Sequence, residues 1–142
     1  MVAIASEQKH EWLRGLGAYE TVDYHDAQAM AAIEPVDVVY SLAPGSFEAA
    51  LKAVKKGGIL ISLGAGSADV EEKVKAAGVR FAATHVRTQR EWLEGVIDLA
   101  GRGVLLPTVS EVFDLKNAAE AHRALESGHT QGKIVLRATS QD

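Results

Sequence analysis

Short apolar runs alternate along the chain with stretches of helical periodicity. The runs at 2–5, 21–22, 36–42, 59–63, 79–83 and 133–137 predict strands. Between the runs, apolar residues recur three or four positions apart, as they do from Trp12 to Leu16 and from Trp92 to Ala100, which predicts amphipathic helices. Strands separated by helices of about ten residues or more predict an α/β fold with a doubly wound parallel sheet and helices on both of its faces.

Residues that favour helix ends punctuate this pattern. Gly17 fits the left-handed position after the first helix, and Gly57-Gly58 and Gly78 are predicted to end the helices before them. Thr88 and Glu91 have the spacing of a capping box. Side chains that cap helix N-termini are expected at three further positions, Ser6, Ser46 and Asp114.

The composition is that of an ordinary globular protein, with 47% hydrophobic and 24% charged residues among 142. This length predicts one domain, 1–142. The net charge of −4 argues against a nucleic-acid partner, and no apolar run approaches the roughly 20 residues of a membrane span. The sequence has no cysteine, which excludes disulfides and thiolate metal sites. No basic leader precedes an apolar core, so the expected location is the cytoplasm.

In a doubly wound sheet, ligands bind outside the carboxyl ends of the strands. The run at 2–5 is followed by Ser6, with Lys9 one helical turn further on. At the corresponding strand end of a dinucleotide fold, an acid holds the 2′-hydroxyl of NAD, whereas a neutral or basic residue tolerates the 2′-phosphate of NADP. Ser6 and Lys9 therefore favour a phosphate-bearing cofactor. The alternative is that Ser6 is only a helix cap and Lys9 a solvated side chain, and Glu7 weighs against a phosphate.

Two further strand ends are followed by small residues. These are Leu42-Ala43-Pro44-Gly45 and Gly64-Ala65-Gly66. Small side chains let a ligand approach the backbone, although each stretch taken alone is better explained as a plain turn. The five histidines show no pair at i, i+3 or i, i+4 spacing, so they predict no metal site. No glycine-flanked serine has the pattern of a hydrolase nucleophile.

Several stretches together resemble one region of one family. The first half contributes Val2-Ala-Ile-Ala-Ser6, Thr21-Val-Asp-Tyr24, Asp37-Val-Val-Tyr40 and Ile61-Ser-Leu-Gly64. The more specific second half contributes Val112-Phe-Asp-Leu115, Ala118-Ala-Glu-Ala-His122, Glu126-Ser-Gly-His129 and Gly132-Lys-Ile-Val-Leu136. With these, the whole chain resembles the C-terminal cofactor-binding half of a medium-chain dehydrogenase/reductase, of the zinc-independent NADPH:quinone oxidoreductase type in the zinc-binding-dehydrogenase-like family. The ending separates this family from methyltransferases, whose middle strands look similar.

The resemblance implies NADPH as cofactor, a homodimer, and hydride transfer to quinones, enones or related carbonyls. Carried over by position, the cofactor-binding residues would be Ser6, Lys9, Ala43, Pro44, Gly64, Ala65 and Lys133. The first two would meet the 2′-phosphate, the next two the adenine-ribose side, and the third pair the nicotinamide ribose. The last would face the cofactor from segment 105–142, which returns toward the substrate domain. This branch needs no acid–base residue from this half, so no catalytic residue is expected.

The resemblance also implies an incomplete Rossmann-like sheet, because the family's first strand, its glycine-rich turn and the substrate domain would precede Val2. In the family order 3-2-1-4-5-6, that strand is central, and its loss exposes two strand edges. We expect the gap to be closed by pairing of the flanking strands, by Lys133–Arg137, or by a second copy. The chain alone is expected to be inactive, since half of the reactant pocket is missing.

Two other hypotheses stay open at this point. The chain could be a catalytically inactive remnant that acts as a dimerisation or protein-interaction module. It could also be another nucleotide or S-adenosylmethionine binder built on the same sheet.

Overall fold

Strands and helices alternate along residues 1–43, 45–63 and 68–138, which are the part of the chain described by the computed structural model. The strands are β1 (Val2–Ile4), β2 (Glu20–Val22), β3 (Val36–Ser41), β4 (Val54–Leu63), β5 (Arg80–Thr84), β6 (Val109–Asp114) and β7 (Lys133–Arg137). The helices are α1 (His10–Gly15), α2 (Ala27–Ala31), α3 (Phe47–Ala53), α4 (Ala68–Ala76), α5 (Arg90–Gly101) and α6 (Ala118–Glu126). Short 3-10 turns, Glu7–Lys9 and Leu115–Asn117, precede α1 and α6. This alternation, with parallel pairing throughout, confirms the predicted Rossmann-like α/β class.

The strands pair in three separate parallel sheets, β1-β2, β3-β4-β5 and β6-β7. The chain divides into two compact units, a first unit Met1–Arg87 with the first two sheets and a second unit Thr88–Asp142 with the third. The predicted segment 105–142 lies within the second unit. The expected pairing of β1 with β3 is wrong for the described residues, because these two strands lie in separate sheets. Lys133–Arg137 forms β7, which pairs with β6 within the second unit.

The core of the first unit lies against the central strand β4. Leu60, in the middle of β4, is fully buried, with no exposed surface. It shares a cluster with the buried side chains of Ala50, Val54, Val74 and Val79. Because these come from α3, the start of β4, α4 and the approach to β5, the cluster joins both helices to one sheet.

The glycines show where a local signal succeeded and where it failed. Gly17 and Gly78 have φ of 96° and 66°, which confirms that they follow helices in the left-handed conformation. Gly57-Gly58 do not end a helix, because α3 stops at Ala53 and both glycines lie inside β4. The register of β4 against β3 shifts at this point, and a Cβ on Gly58 would lie 2.8 Å from the carbonyl oxygen of Asp37. The pair is therefore required by a bulge and a close backbone approach.

Three of the predicted N-terminal caps, Ser6, Ser46 and Asp114, occupy N-cap positions without making the expected side-chain bonds, and the predicted capping box is wrong. Helix α5 begins at Arg90, so Thr88 and Glu91 do not form a capping box, and Gln89 at its N-cap makes no side-chain cap bond. No cap bond is made by the side chains at the other three predicted positions, Ser6, Ser46 and Asp114. The Asp114 carboxylate instead lies 3.7 Å from Arg137 Nη1 on the neighbouring strand.

Candidate functional site

The carboxyl ends of β1 and β2 are tied together by the residues that follow them. Asp23, directly after β2, accepts the backbone N–H of Glu7 with Oδ2 at 3.3 Å. Its Oδ1 accepts the backbone N–H of His25 at 2.9 Å and lies 2.9 Å from that ring's Nδ1. On the β1 side, His10 Nε2 lies 3.0 Å from the carbonyl oxygen of Ala5. Because a carbonyl oxygen only accepts, Nε2 of this ring carries the hydrogen.

These hydrogen bonds hold Asp23 in its charged form. The backbone N–H of His25 contributes most to lowering the pKa of the Asp23 carboxyl below its ordinary value. Partial desolvation opposes this effect, while the His25 ring and the Glu7 N–H add to it. Asp23 is therefore an anion at neutral pH.

A cavity of about 490 Å³ opens beside these two strand ends. Four carboxylate residues contribute to its lining, Glu7, Glu20, Asp23 and Asp26, together with the His10 ring. Neither lysine nor arginine is found among its described lining residues. Because its lining is acidic, this cavity favours hydroxyl groups and cations of a ligand over an anionic group.

Ser6 and Lys9 share one turn next to this cavity. Ser6 lies between β1 and the 3-10 turn, and its carbonyl oxygen accepts the backbone N–H of Lys9 at 2.9 Å. Glu7 follows Ser6 directly, donates its backbone N–H to Asp23 and lines the acidic cavity. It therefore connects the turn of Ser6 and Lys9 to that cavity. Sequence reasoning missed Asp23 and His10. A signal existed, since Asp23 directly follows the strand β2 and neighbouring parallel strands end at one edge.

A second cavity, of about 250 Å³, lies at the carboxyl ends of β3 and β4. Its described lining is Ser41, Leu42, Ala43, Gly45, Phe47, Ser62 and Leu63. Ser46 donates to the carbonyl oxygen of Ala43 at 2.7 Å, so Ser41 must donate to Ser46 Oγ at 2.6 Å. These two bonds fix the turn that follows β3. The structure therefore places Ala43 beside an open strand end.

The remaining predicted site residues are Pro44, Gly64, Ala65 and Lys133. Pro44, Gly64 and Ala65 lie outside the described residues. Lys133 is the first residue of β7 in the second unit, where its backbone N–H donates to the carbonyl oxygen of Thr108 at 2.9 Å.

Comparisons with known proteins point to one family. A family model described as zinc-binding dehydrogenase matches residues 16–136. The chain is 30% identical over 138 residues to the chloroplastic NADPH-dependent alkenal/one oxidoreductase of Arabidopsis thaliana, and the match covers 96% of this chain and 33% of that protein. The quinone oxidoreductase structure from Coxiella burnetii matches with a TM-score of 0.86 at 29% identity, covering 97% of this chain and 44% of that one.

A further solved structure, an NAD-dependent alcohol dehydrogenase, matches with a TM-score of 0.83 at 27% identity and covers 97% of this chain and 43% of that one. The chain therefore spans less than half the length of the relatives that it matches.

Among the described residues, no three side chains of histidine, cysteine, aspartate or glutamate are grouped closely enough to hold a metal. None of the described helices has the length and apolar character to cross a bilayer.

Proposed function

This chain belongs to the zinc-binding dehydrogenase family, and we propose that it is the cofactor-binding portion of an NADPH-dependent oxidoreductase that reduces quinones, enones or related carbonyls. Its relatives include an NADPH-dependent alkenal/one oxidoreductase and a quinone oxidoreductase. The observation that carries the proposal is the edge of the first unit, where Ser6 follows the carboxyl end of β1 and Ala43 follows that of β3, each beside an open cavity.

The proposal assigns one cofactor contact to each predicted site residue. Ser6 Oγ and the Lys9 ammonium would hold the 2′-phosphate, because a hydroxyl donor and a cation complement that group. Ala43, with Pro44, would border the adenine ribose, since small side chains let the ribose approach the backbone. Gly64 and Ala65 would lie near the nicotinamide ribose, and Lys133 would contact the cofactor from segment 105–142.

NADPH supplies the hydride when it is bound, and this chain's residues would bind and orient it. In this proposal, 1–142 is a Rossmann-like nucleotide-binding domain that works in the cytoplasm as a homodimer. A substrate domain would complete the pocket for the carbonyl compound. We assign no catalytic residue to the chain itself, and we expect it to be inactive alone because hydride transfer needs both reactants held together.

Calorimetric titration of the 142-residue chain with NADPH and then NADH tests the proposal. We expect micromolar NADPH binding, with NADH weaker. Lys9→Gln should weaken NADPH binding several-fold and leave NADH binding unchanged, because only NADPH carries the 2′-phosphate. Lys75→Gln, which removes the same charge from α4, is the matched control and should change neither. Absence of binding at millimolar concentrations of both cofactors would refute the proposal.

A second candidate function, an inactive dimerisation or interaction module, is favoured by the surface of α5. Its apolar side, made of Trp92, Leu93, Val96 and Ile97, is exposed, with 57% of Trp92 and 60% of Ile97 accessible. The opposite side carries two ion pairs, Arg90 with Glu94 at 2.7 Å and Arg102 with Asp98 at 3.1 Å. An amphipathic helix with an uncovered apolar side marks an interaction surface.

Both candidates expect self-association, so the NADPH titration separates them, and sedimentation velocity tests whether α5 forms the interface. If it does, the chain associates with increasing concentration, Ile97→Gln abolishes the association, and under the second candidate NADPH has no effect. A chain that sediments as a monomer at high concentration would refute a dimer interface on α5. Arg90→Gln, on the polar side of the same helix, serves as the control.

A further inference from the structure

We propose that Asp23 is a specificity-determining residue, which limits the preference for NADPH over NADH at the turn that holds Ser6. This inference rests on the proposed function and concerns the same site. Asp23 directly follows the strand Glu20–Val22, and the sequence alone does not show that its carboxylate reaches the turn that holds Ser6.

The Asp23 carboxylate lies against the turn that holds Ser6 and Lys9. Asp23 Oδ2 takes the backbone N–H of Glu7, which directly follows Ser6. A phosphate held by Ser6 and Lys9 would therefore find the next backbone N–H, that of Glu7, already donated to the Asp23 carboxylate. The ribose hydroxyl of NADH needs no such amide, and it is able to donate a hydrogen bond to a carboxylate.

Negative charges outnumber positive ones around this turn. The cavity at this edge carries four acidic residues, whereas the basic side chains on the neighbouring turn and helix are Lys9 and Arg14. The guanidinium of Arg14 donates to Thr21 Oγ1 at 2.6 Å, so it is directed at β2. The 2′-phosphate of NADPH would enter this acidic surrounding with Lys9 as the cation on the same turn. Repulsion from one fixed negative charge nearby, at a solvent-exposed site, corresponds to about a three- to tenfold change in affinity.

Hydrogen bonds to both oxygens fix the Asp23 carboxylate in place. Two donors from His25 hold Oδ1, and the Glu7 N–H holds Oδ2, so rotation away from the turn would break hydrogen bonds. A lowered pKa keeps the carboxyl ionised wherever cofactor binding is measured. The charge consequently acts on the two cofactors in opposite directions, against a phosphate and in favour of a hydroxyl.

The test compares dissociation constants of NADPH and NADH for the full chain and for Asp23→Asn, at low ionic strength. We expect NADPH to bind about three- to tenfold more tightly to the variant, while NADH binds equally or more weakly. Asp26→Asn removes the same charge from the same cavity, but Asp26 accepts the N–H groups of Gln28 and Ala29 instead of that of Glu7. This control should change the ratio of the two constants less than twofold.

The outcomes separate the inference from the proposed function. If the two constants change by the same factor in Asp23→Asn, the residue only supports the turn and the inference is wrong, while the proposed function stands. If the unmodified chain binds neither cofactor, both are wrong. Should Asp23→Asn fail to fold by circular dichroism, Asp23→Ser repeats the charge removal with a smaller side chain that still accepts a hydrogen bond.

Discussion

Replacement of Leu60 by alanine should remove a large part of the stability of the first unit. Leu60 is fully buried in the central strand β4. Removing about three methylene equivalents costs about 2.4 kcal/mol at about 0.8 kcal/mol each. The cavity left behind adds about 1–2 kcal/mol, because β3 and β5 hold β4 on both edges and limit its collapse. We therefore expect a loss of about 3.4–4.4 kcal/mol in the free energy of unfolding.

Urea unfolding measures this loss unit by unit. The chain has one tryptophan in each unit, Trp12 on α1 and Trp92 on α5. In a Trp92→Phe background, fluorescence reports the first unit, and far-UV circular dichroism follows the whole chain. The matched control is Leu63→Ala at the end of the same strand, where 48% of the side chain is exposed and the loss should stay below about 1.5 kcal/mol. Equal losses for the two variants would refute the assignment of the core to Leu60.

Three further predictions concern other features of the chain. The lowered pKa of Asp23 contributes stability above the carboxyl's ordinary pKa, and this contribution disappears as the pH falls through the lower folded value; the difference in stability between the chain and Asp23→Asn should therefore shrink below about pH 4. Gly132→Ala should unfold the second unit, because φ is 94° and the new Cβ would lie against the carbonyl oxygen of Thr108; Gly101→Ala, with open space around it, should be tolerated, as thermal melts by circular dichroism would show. Asp26→Ala should cost about 1 kcal/mol in urea unfolding, because its carboxylate caps α2, whereas Asp26→Asn should keep most of the stability.

The strands were predictable from local pattern, and several boundaries were not. Runs rich in β-branched residues marked β3, β4 and β7 because such residues suit a pleated, half-buried surface. Gly57-Gly58 gave the same local signal as a helix stop, although they serve a bulge in β4. What distinguishes the two is the approach of the Asp37 carbonyl oxygen, which depends on the pairing of β3 with β4. No local sequence window contains that contact.

The site was predictable to a similar degree. Ser6 and Ala43 follow apolar runs directly, so their places at strand ends could be predicted. The bond from Asp23 to the Glu7 N–H joins residues 16 positions apart and exists only because β1 and β2 are neighbours. The periodicity of α5 predicted its helix correctly. It could not predict that Trp92 and Ile97 would remain exposed, since periodicity indicates a face to be buried and does not identify what buries it.

The three separate sheets have a consequence for how this chain folds. Within the described residues, every pairing joins strands that are consecutive in the sequence, β1 with β2, β3 with β4, β4 with β5, and β6 with β7. No pairing has to wait for the closure of a long loop, so the relative contact order is low for a parallel α/β protein. We expect amide hydrogen exchange to reveal several protection levels, with the slowest amides on β4, which carries the fully buried Leu60.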